Sequence, residues 1–168
     1  MLKKYEIIST FVIMILGTLL HFTYELSNEN VLISLFSSVN ESVWEHLKLL
    51  YFPSLLMSLI GYFYFRKNHS NYLCAKTKGI LLSFTFIITF FYTYTGILGK
   101  SIAFLDISSF FIAVIIGQVY SFKKIDNPCN QKLTVITIIL LTIAFILFTF
   151  YPPTLGIFNK PVPCFWHK

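Results

Sequence analysis

Apolar residues run along this chain in five long blocks, separated by short polar or charged stretches. The blocks fall near 5–26, 40–65, 78–98, 101–122 and 133–151. Crossing about 30 Å of hydrocarbon takes roughly 20 helical residues, and each block comes close to or exceeds that length. None alternates with the period of two that a barrel strand shows. A backbone in lipid must satisfy its own N–H and C=O groups, and the helix is the remaining way to do so. The pattern predicts an all-α polytopic membrane protein. One transmembrane domain covers 1–168, a bundle of five helices followed by a tail over 152–168. Lys3 and Lys4 precede the first block as they would in a secretory signal. That block is too long for a signal core and no small-residue cleavage pattern follows, so it reads as an uncleaved first helix.

Composition agrees. The 168 residues are 56% hydrophobic, 18% aromatic and only 12% charged, against about 25% charged in soluble domains. The net charge of +6 does not mark a nucleic-acid binder, because the basic residues sit between apolar blocks and form no groove or arm. They mark topology instead. The N-terminal end and the 66–78 and 123–132 loops hold nine of the 13 basic residues. The positive-inside rule then places the N-terminus in the cytoplasm and the C-terminus outside, in a multi-pass protein of the cell membrane. Five of the seven acidic residues, Glu25, Glu29, Glu41, Glu45 and Asp106, fall on the outer side. Cys74 and Cys129 fall inside and Cys164 outside, with no metal-ligand spacing, so no disulfide is expected.

The chemistry gathers at the outer ends of the helices. In "SVNESVWEHLKLLYFP", Ser38-x-x-Glu41 fits a capping box and Ser42-x-x-Glu45 repeats it. Helical pitch puts Glu41, Glu45 and Lys48 on one stripe and His46 about 100° away. Glu45 and Lys48 are spaced to pair. The first block ends in "LLHFTYEL", with His21 and Glu25 one turn apart and Tyr24 beside them; an ionisable residue at such depth points to a site. Tyr92 and Tyr94 end the third block in "FFYTYTGILGK", where Gly96 and Gly99 suit close packing or a tight turn. Asp106 lies about one turn into the fourth block and calls for a partner, Lys100 or a Tyr92 or Tyr94 hydroxyl. Pro53 kinks the second helix and frees the Leu49 carbonyl. Pro152 and Pro153 stop the fifth helix, and the aromatic tail beyond them is placed to fold over the outer mouth.

Four stretches, "GTLLHFTYE", "VNESVWEHLKLLYFP", "FYTYTGILGK" and "FTFYPP", resemble a family of small five-helix bacterial integral membrane proteins known only as a domain of unknown function. The resemblance covers nearly the whole chain and implies the same helix count, but no activity. The tail departs from the family pattern. Thr154 stands where a histidine is expected and Lys160 where an aspartate is expected, which argues against a tail-assisted metal site.

Three functions fit these residues. The first is a polar pocket at the outer ends of the first four helices that binds or helps move a small solute or lipid headgroup. The second is a membrane-embedded enzyme using a divalent metal ion on a lipid or lipid-linked substrate, with His21, Glu25, Glu45 and His46 as candidate ligands. The third is an accessory or sensory subunit whose outer cluster is only an ion-pair network around Lys48. HExxH, P-loop, Rossmann and serine-hydrolase motifs are absent.

Overall fold

The computed structural model describes residues 1–159, and every regular element within them is helical. Five helices are long and apolar enough to cross a membrane: α1 (Leu2–Leu26), α3 (Val43–Phe65), α4 (Tyr72–Leu98), α5 (Ala103–Lys123) and α6 (Gln131–Phe150). A short α2 (Val31–Ser34) joins the first two spans, and a 3-10 turn (Gly156–Phe158) follows the last.

Two helix starts differ from the sequence reading. α3 begins at Val43 because Ser42, not Ser38, is its cap. The Ser42 hydroxyl accepts from the Glu45 N–H at 3.3 Å, while the Asn40 side chain holds the Ser42 N–H at 2.8 Å. Glu41 therefore lies ahead of the helix and off the stripe assigned to it. α4 begins at Tyr72 instead of Lys78. Hydropathy falls at Lys76, but this lysine is buried against Glu6 of α1, so the helix runs straight through it.

α3 is central. It is 56% buried over its most apolar window, whereas α6 is 11% buried. Leu47, Leu50 and Tyr51 of α3 pack with Ile13, Phe84, Ala113 and Phe145 of the surrounding helices. Large apolar side chains such as Phe11, Ile15, Leu140 and Ile143 face outward. In lipid they are well solvated, so helix association depends on close fit and interhelical hydrogen bonds. The α4–α5 contact shows this. Gly79 and Ser83 face Ala113, Gly117 and Ser121, with small residues every four positions on both helices. The Ser83 hydroxyl donates to the Ala113 carbonyl at 2.7 Å. Gly96 and Gly99 serve otherwise: a side chain at either would meet open space. Gly99 ends α4 in the left-handed conformation, at φ +69°.

Pro53 sits within α3, and α1 covers the carbonyl it frees. A Cβ at Gly17 would stand 2.7 Å from the Leu49 oxygen and 2.5 Å from the Phe110 ring. Only glycine lets the two backbones approach so closely, close enough for a Cα–H···O contact. Gly17→Ala is expected to destabilise the bundle by about 1–3 kcal/mol; a melting temperature equal to wild type in detergent would contradict this seating.

The expectation of no disulfide is corrected. Cys74, in the first turn of α4, and Cys129, just before α6, are bonded, with Cα atoms 6.5 Å apart. Compartment alone says nothing of the distance between two cysteines 55 residues apart. The turn before α6 folds back over the start of α4, where Gln131 also donates to the Ser70 carbonyl at 3.1 Å. Cys164, Lys160 and the rest of the tail beyond residue 159 lie outside the described residues; within them, Phe158 packs on Trp44 with ring centroids 4.9 Å apart.

Candidate functional site

The loop between α2 and α3 builds the site through its serines. The Ser37 hydroxyl donates to the Leu20 carbonyl and accepts from the Tyr24 N–H at 3.1 Å, so it bridges one rung of α1 around His21. Ser38 reaches His21 Nδ1 at 3.4 Å. The Val39 N–H donates to Glu45 Oε2 at 2.9 Å. Tied at these points, the loop carries Glu41 outward over the ends of α1 and α3.

There His21, Glu41 and His46 converge. Glu41 Oε2 lies 3.4 Å from His46 Nε2 and Glu41 Oε1 lies 3.9 Å from His21 Nε2. One ligand-type atom from each residue falls within 4.8 Å of the others. The imidazole centroids are 5.3 Å apart. His46 Nδ1 is 2.9 Å from the Ser42 carbonyl, which only accepts. Nδ1 therefore carries the proton that meets this carbonyl, and Nε2 is the nitrogen that faces Glu41. Such outer bonds are what orient histidines that hold metals. Both rings are about one-third exposed and Glu41 is 65% exposed, so the cluster is open to solutes.

Glu45 and Lys48 form a separate unit. The Lys48 ammonium contacts Glu45 Oε2 at 2.6 Å, the Ser34 carbonyl at 2.9 Å and the Thr149 hydroxyl at 2.9 Å, using all three donors. Both side chains are buried. Glu45 is therefore engaged with Lys48 and the loop, away from the two histidines. Glu25 is exposed and makes no ion pair among the described residues. The ligand set that geometry gathers replaces Glu25 and Glu45 by Glu41, because Glu41 stands before the helix and is free of its 100° spacing.

Asp106 takes a hydrogen bond from the Tyr94 hydroxyl, which in turn accepts from the Ile102 N–H at 3.3 Å. Asp106 lies at the same end of the bundle as His46 and Glu41, within electrostatic reach of both. Tyr94 is buried, Tyr92 is 43% exposed and Tyr24 is half-buried with its backbone held by Ser37. Ser37, Ser38 and Ser42 were not singled out as site residues; their signal was the density of hydroxyls in "SSVNES".

A second polar centre sits at the other end of the helices. Lys76 pairs with Glu6 and also donates to Gln118 Oε1 at 2.6 Å and Ser121 Oγ at 3.3 Å. The Tyr72 hydroxyl donates to Glu6 at 2.9 Å. Sequence reasoning missed it because Glu6 and Lys76 are 70 residues apart and each looked like a charge flanking a span.

No curated protein and no solved structure matches this chain. The profile of a family of unknown function (DUF6512) matches residues 1–164, and the chain belongs to that family.

Proposed function

We propose that this protein is a multi-pass protein of the cell membrane whose His21–Glu41–His46 centre binds a divalent transition-metal ion at the extracytoplasmic surface. The N-terminus lies in the cytoplasm, following the lysine distribution. One observation carries the metal reading: two imidazole Nε2 atoms and a carboxylate, held by three different anchors, already approach one another as ligands would. Bonds of about 2.0–2.1 Å in a tetrahedral site put ligand atoms about 3.3 Å apart, so the set closes with small side-chain rotations. Imidazole plus carboxylate suits zinc and its first-row neighbours better than calcium or magnesium. Three protein ligands leave a position for water or for an oxygen of a lipid headgroup, which fits metal-assisted hydrolysis of a lipid or lipid-linked ester. Asp106, held by Tyr94, is the nearby acid suited to handle a proton. Glu45 and Lys48 hold the loop that carries the centre.

Metal titration tests this directly. The purified protein is expected to bind about one equivalent of Co²⁺ with the visible spectrum of a nitrogen-liganded ion. His21→Ala, His46→Ala and Glu41→Gln should each weaken binding by at least about tenfold. A spectrum indistinguishable from free Co²⁺, or affinities unchanged in all three variants, would refute the metal centre.

A further inference from the structure

α6 is tied to the central helix at its middle and outer parts. The Tyr51 hydroxyl meets Thr142 Oγ1 at 2.7 Å and the Ile138 carbonyl at 2.9 Å, and Thr149 accepts from Lys48 at 2.9 Å. Among the described residues, no hydrogen bond joins α6 to another helix ahead of Ile138; the hydroxyls of Thr134 and Thr137 bond back to their own backbone. The inner end depends on the turn before it. There Ile125 packs with Tyr72 and Ala75, His69 meets Asp126 at 2.6 Å, Gln131 reaches the Ser70 carbonyl at 3.1 Å, and the Cys74–Cys129 bond closes the turn onto α4. The two polar contacts are open to solvent, where such contacts hold weakly. The covalent bond is the strong tie.

That bond stands where a permanent one is least expected. With the N-terminus in the cytoplasm, as proposed above, α4 and α6 both start at the cytoplasmic surface. Thiols keep that compartment reducing, and the disulfides found in it are mostly transient or redox-sensing. The pair is within reach of such thiols. The 27 residues of α4 run about 40 Å, against about 30 Å of hydrocarbon, which leaves room for its first turn among the headgroups. Cys129 lies outside any helix and is part-exposed, whereas Cys74 is 5% exposed. Attack therefore falls on the Cys129 sulfur.

We propose that Cys74 and Cys129 are a reversible thiol–disulfide couple, exchanged with cytoplasmic dithiols and disulfides, that fastens or frees the inner end of α6. The couple rests on the topology proposed above and is independent of the metal centre. A thiolate of the dithiol attacks Cys129 Sγ. The Cys74–Cys129 bond breaks, and Cys74 leaves as a thiolate at the positive end of the α4 dipole and takes a proton from water. The second thiolate of the dithiol then attacks the mixed disulfide and releases Cys129, which is protonated in turn. Two electrons pass to the protein, and the dithiol becomes a disulfide. Oxidation by glutathione disulfide runs through a mixed disulfide at Cys129 and releases two glutathione thiols.

Thiol counting in cells tests the couple. In a Cys164→Ser background, cells are quenched in acid, free thiols are blocked with N-ethylmaleimide, and thiols freed by later reduction are counted by a maleimide–polyethylene glycol gel shift. The pair is expected as free thiols in growing cells, as a disulfide within minutes of adding diamide, and as thiols again after its removal. A pair that stays a disulfide in growing cells, or that diamide does not close, would overturn the couple. Trypsin on the purified protein reads α6: cleavage within 123–132 should be at least about tenfold faster after reduction by dithiothreitol. Cys74→Ser should be cut at the fast rate with or without dithiothreitol. Equal rates for oxidised and reduced protein would overturn the release of α6. Topology is read separately, by a membrane-impermeant maleimide on Cys129 in the Cys74→Ser/Cys164→Ser variant. Protection in intact cells and labelling in inverted vesicles are expected; labelling in intact cells would refute the cytoplasmic placement on which the couple rests.

Discussion

Lys48→Met is expected to cost about 3–5 kcal/mol, because it leaves a buried carboxylate without its cation. Lys48 is the ideal case for this penalty. Its ammonium is fully enclosed, and Glu45, the Ser34 carbonyl and the Thr149 hydroxyl take its three donors. Without it, Glu45 keeps only the Val39 N–H among these contacts, and α2 and α6 each lose a hydrogen bond to α3. Glu45→Gln should cost a similar amount by stranding Lys48. The double variant Lys48→Met/Glu45→Gln should recover much of the loss, since neither charge is then buried alone. Unfolding of all four proteins in one detergent closes the cycle. Additive single effects would show that the pair is not coupled, and a wild-type melting temperature for Lys48→Met would show that it is not buried as described.

Gly117→Val should be as damaging by a steric route. A Cβ at Gly117 would stand 2.2 Å from the Ser83 oxygen and 2.7 Å from the Gly79 carbonyl oxygen. The serine can rotate, at the loss of its bond to Ala113, but the Gly79 carbonyl belongs to α4 itself. The helices must part, and small-residue packing and hydrogen bonding are the main attractions between helices in lipid. We expect a loss of about 3 kcal/mol or more, at the upper end of overpacking effects, seen as aggregation or early melting in detergent. Gly96→Val is the control, since that position faces open space. Equal stability of the two variants would contradict the close crossing.

The fold was largely legible in the chain because spanning a membrane imposes one rule on a contiguous segment: length and apolarity. That rule places five helices from local information. It misjudged the start of α4, because a lysine reads as the end of a span when its partner is out of view. The site was legible in its residue types and less so in its grouping. Asp106 demanded a partner, and the structure supplies Tyr94. Glu45 and Lys48, three residues apart, form the pair their spacing suggests. The grouping of His21 with Glu41 and His46 was hidden, because it depends on a non-helical loop whose path is set by Ser37, Ser38 and Asn40.

The amino-acid sequence by itself determined the five spans, the membrane as their solvent and the end of the bundle where histidines and acids collect. These follow from transfer of apolar side chains to lipid and from short-range helical spacing. Only the tertiary structure decided which charges neutralise one another, where two glycines let α4 and α5 touch, that Cys74 and Cys129 meet, and that α3 buries charged and hydroxyl side chains. The reason is physical: pairing energies depend on distances between segments far apart in the chain, and no local pattern encodes those distances.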